Sequence, residues 1–134
     1  MNIGMLTMLS AALLCAPCAA EVVAKTEGAY PSGAPKAYVF LKDGKEVARR
    51  VMPEKGGKPK TTGKIPDGPV KEFYPDGKLR RVLTYKNNEQ TGLMELYDEK
   101  GVLYTRAVLK NGMCEGPVSV LYGNGKPRET YSCK

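Results

Sequence analysis

The sequence predicts an all-β chain: an elongated antiparallel meander of repeated β-hairpins, preceded by an N-terminal signal segment. Three observations predict it. Glycines recur at a fixed interval of 24 residues, at Gly68, Gly92 and Gly116 and again at Gly77, Gly101 and Gly125; a period of this length marks a stack of small structural units. Asp-Gly and Asn-Gly dipeptides, which put Gly where a tight turn needs positive φ, punctuate the chain at Asp43-Gly44, Asp76-Gly77 and Asn124-Gly125. Between the turns apolar residues alternate, and no stretch after residue 20 sustains a helical period.

Residues 1–20 carry no charged side chain, run apolar from Ile3 through Leu14 and end in Cys15-Ala16-Pro17-Cys18-Ala19-Ala20. An apolar core ahead of a small-residue cleavage zone is the pattern of a secretory signal, here cut after Ala20. The alternative is an uncleaved membrane anchor, since such a stretch approaches the length of a span; Pro17 and the run of small residues argue against it. The expected location is therefore periplasmic or secreted. Cys15 and Cys18 leave with the signal, so Cys114 and Cys133 remain as one pair with one connectivity in an oxidising compartment. The loop their disulfide closes is worth roughly 3 kcal/mol on the chain-entropy account.

Residues 21–37 form a Pro/Gly-rich lead, and 38–134 form the repeat domain. A divergent first copy, YVFLKDGKEVARRV, spans Tyr38 to Val51, and a longer spacer runs from Met52 to Ile65. The regular units are GPVKEFYPDGKLRRVLTYKNNEQT, GLMELYDEKGVLYTRAVLKNGMCE and the shorter GPVSVLYGNGKPRETYSCK. Each is two strands around a tight turn, with Asn87-Asn88 and Asn111-Gly112 turning into the next unit. In the second strands Leu79, Leu83 and Tyr85 share one face, matched by Leu103, Ala107 and Leu109 and then by Pro127, Tyr131 and Cys133; Arg81, Thr105 and Glu129 interrupt the column at one level. Folding 113–122 onto 126–134 sets Cys114 opposite Cys133 or one residue away, a staple for the end hairpin. A bulge near Gly116 would alter that register.

Tyr74-Pro75-Asp76-Gly77-Lys78-Leu79, followed by Tyr85-Lys86-Asn87 and the closing Gly92, resembles the MORN-repeat variant of many bacterial proteins, over about residues 65–134 and loosely over 38–51. The resemblance implies strings of β-hairpins and a role in protein or membrane contacts. Some bacterial relatives carry an antitoxin label, which supplies an alternative role as a neutralising partner protein. The signal segment argues against a cytoplasmic antitoxin, and the units hold fewer aromatic-Gly pairs than standard ones, which weakens any transfer of lipid binding.

Histidine is absent from the whole chain, which removes the commonest general base and metal ligand. There is no Gly-x-Ser-x-Gly elbow and no phosphate loop. Only carboxylates could do chemistry, as in a small polysaccharide-active enzyme using two acids drawn from Asp67, Glu72, Asp76, Glu95 and Asp98. Asp67 and Asp76 precede Gly in turns, and no acid recurs in one column, so the expectation is no catalytic, metal or cofactor-binding residue and no cofactor.

The balance of 21 Lys+Arg against 14 Asp+Glu gives a net charge of +7. A basic strip of Lys42, Lys45, Arg49, Arg50, Lys55, Lys58, Lys60 and Lys64, joined by Arg80 and Arg81, is the candidate contact for an anionic partner. Residues 53–63 within it are rich in Gly, Lys, Pro and Thr and are expected to form a mobile loop. Tyr74, Tyr104 and Tyr122 are candidate aromatic contacts. Export disfavours nucleic acid, leaving an unknown protein, an anionic envelope component, or peripheral contact with a membrane surface. The expected function is a non-catalytic, exported interaction module.

Overall fold

A computed structural model describes residues 21–133, so the signal expected at 1–20 lies outside the described residues. Ten strands form one sheet: β1 (Val22–Ala29), β2 (Pro35–Lys42), β3 (Lys45–Val51), β4 (Lys60–Gly63), β5 (Gly68–Phe73), β6 (Leu79–Lys86), β7 (Glu89–Tyr97), β8 (Leu103–Lys110), β9 (Met113–Leu121) and β10 (Pro127–Cys133). Their spatial order is β10-β9-β8-β7-β6-β5-β1-β2-β3-β4. Two antiparallel meanders, β1–β4 and β5–β10, therefore meet through a short parallel pairing of β1 with β5, Val22 opposite Val70 and Val23 opposite Lys71. The sheet is mixed, where a wholly antiparallel meander was expected.

Two further expectations are corrected. The segment 21–37 is more than a lead: it supplies β1, which sits in the interior of the sheet, and the start of β2. The expected loop at 53–63 is shortened by β4, which pairs with β3 from Lys60 opposite Val51 to Gly63 opposite Ala48. Gly63 is required where it stands. Its φ is +81°, and a Cβ there would lie 2.5 Å from the Val47 carbonyl oxygen.

Two kinds of turn alternate along the chain. Asp43-Gly44, Asn87-Asn88 and Asn111-Gly112 each hold both residues at positive φ, from 49° to 80°, the two-residue type I′ geometry that suits strand twist. The other kind is a five-residue loop at Tyr30–Ala34, Tyr74–Lys78, Asp98–Val102 and Tyr122–Lys126. In each, the first residue's N–H reaches the fifth carbonyl, and a Gly N–H returns to the first carbonyl. Asp43-Gly44 is thus the counterpart of Asn87-Asn88, not of Asp76-Gly77 as the sequence suggested. Ser32-Gly33 is the true equivalent of Asp76-Gly77, so the first repeat begins in β1.

Bulges decide which residues face the core. At Gly92 and Gly116 four residues of one strand span two of the next: Leu83 and Tyr85 pair with Met94 and Gln90, and Ala107 and Leu109 pair with Val118 and Cys114. The excess is even, so Tyr85 and Leu109 stay inward. At Arg80, Tyr104 and Arg128 the excess is one residue, which switches sides. Leu79 consequently pairs with Phe73, which is exposed, and leaves the face of Leu83 and Tyr85 on which it was expected; Leu103 and Pro127 shift likewise.

The core lies on the inner face, where Val22, Ala24, Phe40, Ala48, Ile65, Val70, Leu83, Tyr85 and Leu109 pack together. Phe40 stands between Ala24 on β1 and Ala48 on β3. These small neighbours leave room for Tyr85, which meets Phe40 edge-on with ring centroids 5.4 Å apart. On a flat sheet β2 and β6 would be three strand spacings apart, about 14 Å. The sheet is therefore strongly curled, with the N-terminal meander folded over the inner face of β5–β7. The link from β4 to β5 helps to hold this curl: Ile65 is fully buried, and its N–H donates to Asn88 Oδ1 at 2.7 Å.

Candidate functional site

The curl shapes a partly open cavity of about 380 Å³ at the seam of the two meanders. The N-terminal meander contributes Ala24, Tyr38 and Arg50, and the C-terminal one contributes Glu72, Arg81, Leu83, Tyr85 and Gln90. Strand register explains the assembly. Tyr38 and Arg50 are opposite each other on β2 and β3, and Glu72 and Arg81 are opposite each other on β5 and β6, so each pair points to the same inner face.

On one wall Glu72, only 5% exposed, is held by two arginines. Arg81 Nε donates to Glu72 Oε2, and Arg80 Nη1 donates to Oε1 at 3.4 Å. Arg81 Nη2 donates to the Tyr38 hydroxyl at 3.2 Å, and the guanidinium carbon lies 5.5 Å from the Tyr38 ring centroid. Burial works against the charge on Arg81, but the Glu72 carboxylate outweighs it and holds the guanidinium above its ordinary pKa. On the opposite wall Arg50 Nε donates to Thr61 Oγ1 at 2.9 Å, Nη2 donates to the Asn88 carbonyl, and the group sits over the Tyr85 ring. Burial pushes the Tyr85 phenol upward, an effect opposed by Gln90 Nε2 donating to its oxygen and by the nearby arginines.

The structure divides the expected basic strip. Arg49 is paired with Glu27 at 2.7 Å and Glu46 at 2.9 Å; the bond from Arg49 draws Glu27 below its ordinary pKa. Arg49 is also the cross-strand neighbour of the buried Val39. Arg80 and Arg81 are spent on Glu72. Lys42, Lys45, Lys55, Lys58, Lys60 and Lys64 are exposed, and among the described residues none of them has an ion pair. Register places Lys42 and Lys45 at the start of β3 with Lys64 just inside that end, and Lys55, Lys58 and Lys60 at the other; Lys45 is about 20 Å and Lys64 about 13 Å along the strands from Lys60. They form two clusters, not one strip.

The tyrosines also separate. Tyr74 donates its hydroxyl to the Tyr97 carbonyl at 2.7 Å, tying one repeat to the next, with Arg80 over its ring. Tyr104 is exposed at a bulge, and Tyr122 is exposed in the last turn. Among the acids, Asp67, Asp76 and Asp98 accept backbone N–H bonds in turns, and Glu95 pairs with Arg106 at 3.1 Å. Cys114 and Cys133 are joined by a disulfide with Cα atoms 5.8 Å apart. The ladder pairs Cys133 with Gly116, not with Cys114 or its immediate neighbour; the bulge at Gly116 brings Cys114 within reach.

The cavity-lining Tyr38, Tyr85 and Gln90 were not singled out from sequence. Alternation marks the tyrosines only as inward-facing, and nothing local shows that β2 and β6 will meet.

Residues 66–87 match the family model of the MORN repeat variant. The chain matches no curated protein and no solved structure. The matched segment covers one hairpin, β5 and β6 with the five-residue loop between them and the start of the turn into β7, and the same two turn geometries recur on both sides of it. That hairpin matches the MORN repeat of the variant class, and the described residues are a series of hairpins that share its two turn geometries.

Proposed function

We propose that the chain acts outside the cytoplasm as a non-catalytic interaction module that holds an anionic envelope component or the acidic face of a protein. One observation carries this reading: the arginines Arg49, Arg80 and Arg81 are neutralised within the fold, whereas six lysines at the two ends of β3 keep their charge for a partner. Exposed lysines that satisfy nothing internally contribute long-range attraction and salt-sensitive binding. The expected signal at 1–20 supplies the location, and a disulfide in the end hairpin fits an oxidising compartment.

The test is retention of envelope material on the oxidised protein at low and high salt, with N-terminal sequencing of the exported form. Anionic lipid or polysaccharide held at low salt and lost at high salt supports the lysine clusters. Replacing Lys42, Lys45 and Lys64 by Glu should then reduce retention at least about fivefold. A single protein retained at high salt would instead point to a specific partner surface. A chain found only in the cytoplasm with residues 1–20 intact would overturn the export part.

A further inference from the structure

We propose that the cavity at the seam is a binding site for a small organic carboxylate with an apolar body. Its interior offers hydrogen-bond donors, and the free side-chain acceptors among its lining are the amide oxygens of Gln90 and Asn111 and, at the rim, the Glu89 carboxylate. Arg50 uses Nε and Nη2 on Thr61 and Asn88, and among the described residues Nη1 has no protein partner and no acid pairs with the guanidinium. The Tyr85 hydroxyl accepts from Gln90 and so retains its proton for a second bond. Asn111 adds a side-chain amide at the turn that closes one end.

The one buried acid, Glu72, does not compete, because both of its oxygens are held by Arg80 and Arg81. Around these donors the walls are apolar: Ala24, Met52, Val70, Leu83 and the face of Tyr85. A partly desolvated guanidinium facing an apolar chamber favours a planar carboxylate, with a charge-assisted bond roughly twice as strong as a neutral one. The volume of about 380 Å³ is at the lower end for small-molecule sites. No lysine lines the cavity, so this site and the lysine clusters stand or fall separately.

The test is a titration of the isotope-labelled, oxidised chain with 4-phenylbutyrate and, separately, with 4-phenylbutyramide, followed by NMR. The acid should shift Arg50, Tyr85 and Asn111 saturably, and the amide should bind about tenfold more weakly. Arg50→Gln should abolish the difference between acid and amide. Should that variant not fold, Glu89→Gln decides: Glu89 is an exposed acid at the rim, and its removal should tighten the acid severalfold and leave the amide unchanged. Tighter binding of Ala-Ala-Phe with a free C-terminus than of 4-phenylbutyrate assigns the carboxylate to a peptide end, and weaker binding assigns it to a free small acid. Equal binding of acid and amide, shifts confined to the lysine clusters, or no saturation up to about 10 mM would each overturn the proposal.

Discussion

Between β5 and β10 the chain repeats its geometry every 24 residues, whereas between β1 and β4 it keeps both turn types but moves the one-residue bulge, from the hairpin of the five-residue loop to Val47 beside the Asp43-Gly44 turn. In the C-terminal meander that bulge turns Leu79, Leu103 and Pro127 away from the core and sets Arg81, Thr105 and Glu129 inward. In β1 and β2 the pairing runs unbroken from Val22 opposite Lys42 to Ala29 opposite Pro35. Without the switch, Tyr38 and Phe40 share one face to the end of the strand, and the N-terminal meander can lie as a cover on its neighbour. The difference shows how one hairpin pattern yields both a stack and a lid: the turns set the repeat, and the position of the bulge sets which face is offered to the next layer.

The sharpest way to break this picture is to charge the surface on which the cover rests. Leu83 is buried in the shared core, and Arg80, the bulge residue three positions earlier, is exposed. Leu83→Asp buries an unpaired carboxylate and should cost about 4 kcal/mol, a fall of roughly 15 °C in the melting midpoint. Arg80→Asp removes a 3.4 Å contact from the half-exposed Arg80 to the buried Glu72, which keeps its bond from Arg81, and should cost less, about 2 kcal/mol. Similar midpoints for the two variants would mean that the face assignment is wrong.

The disulfide should distinguish the two ends of the sheet. Cys114 and Cys133 close a 19-residue separation in the last described hairpin, several strands from β1–β4 in the sheet order, although Cys114 packs against the shared core. Reduction, or Cys114→Ser with Cys133→Ser, should cost about 3 kcal/mol. Hydrogen exchange should quicken first in β9 and β10 and leave the β2–β3 ladder unchanged. Thiol titration of exported protein with and without reductant checks that the bond forms; equal counts would exclude it.

What could be read from the sequence follows from where the information lies. The turns were legible because positive φ at consecutive positions restricts the residue type to Gly, Asn or Asp, and those residues recur in register. The first repeat was misplaced because its five-residue loop carries Ser32-Gly33 in place of Asp-Gly, and because Asp43-Gly44 satisfies the chemistry of either turn. The face of Leu83 and Tyr85 was legible from alternation, but Leu79 was not, since a bulge leaves no residue-type signature when its members are Leu79, Arg80 and Arg81. The parallel β1–β5 pairing and the cavity were beyond reach for one reason: both arise from the curl, which depends on Ala24 and Ala48 flanking Phe40 and on Ile65 plugging the crossover. Single small residues in separate strands carry no periodic signal.

Within the N-terminal meander, Gly63 offers a third test, and Gly125 offers its counterpart in the other half. Both have φ of +81°, but a Cβ at Gly63 would strike the Val47 carbonyl at 2.5 Å, whereas nothing lies within 4 Å of one at Gly125. Gly63→Ala should therefore cost about 2 kcal/mol and loosen β4, and Gly125→Ala only about 1 kcal/mol of left-handed strain. Chemical denaturation measures the totals, and exchange at Arg49 to Val51 shows whether β4 has detached. Equal costs would mean that β4 does not press on β3 as the geometry requires.

The smallest expected effect compares one residue in two settings. Tyr74 and Tyr122 open equivalent loops, and each makes the same backbone bonds there. Only Tyr74 has a following loop within reach, and its hydroxyl donates to the Tyr97 carbonyl at 2.7 Å; Tyr122 is 53% exposed in the last described hairpin. Tyr74→Phe should thus cost about 1 kcal/mol, the net worth of one such bond, and Tyr122→Phe should stay within about 0.5 kcal/mol of the parent. Because the two loops share their internal geometry, the difference between the variants isolates the link between successive repeats. Equal effects would place that link in the backbone ladder alone, and a tyrosine that opens a loop would then serve its own hairpin and not the stack.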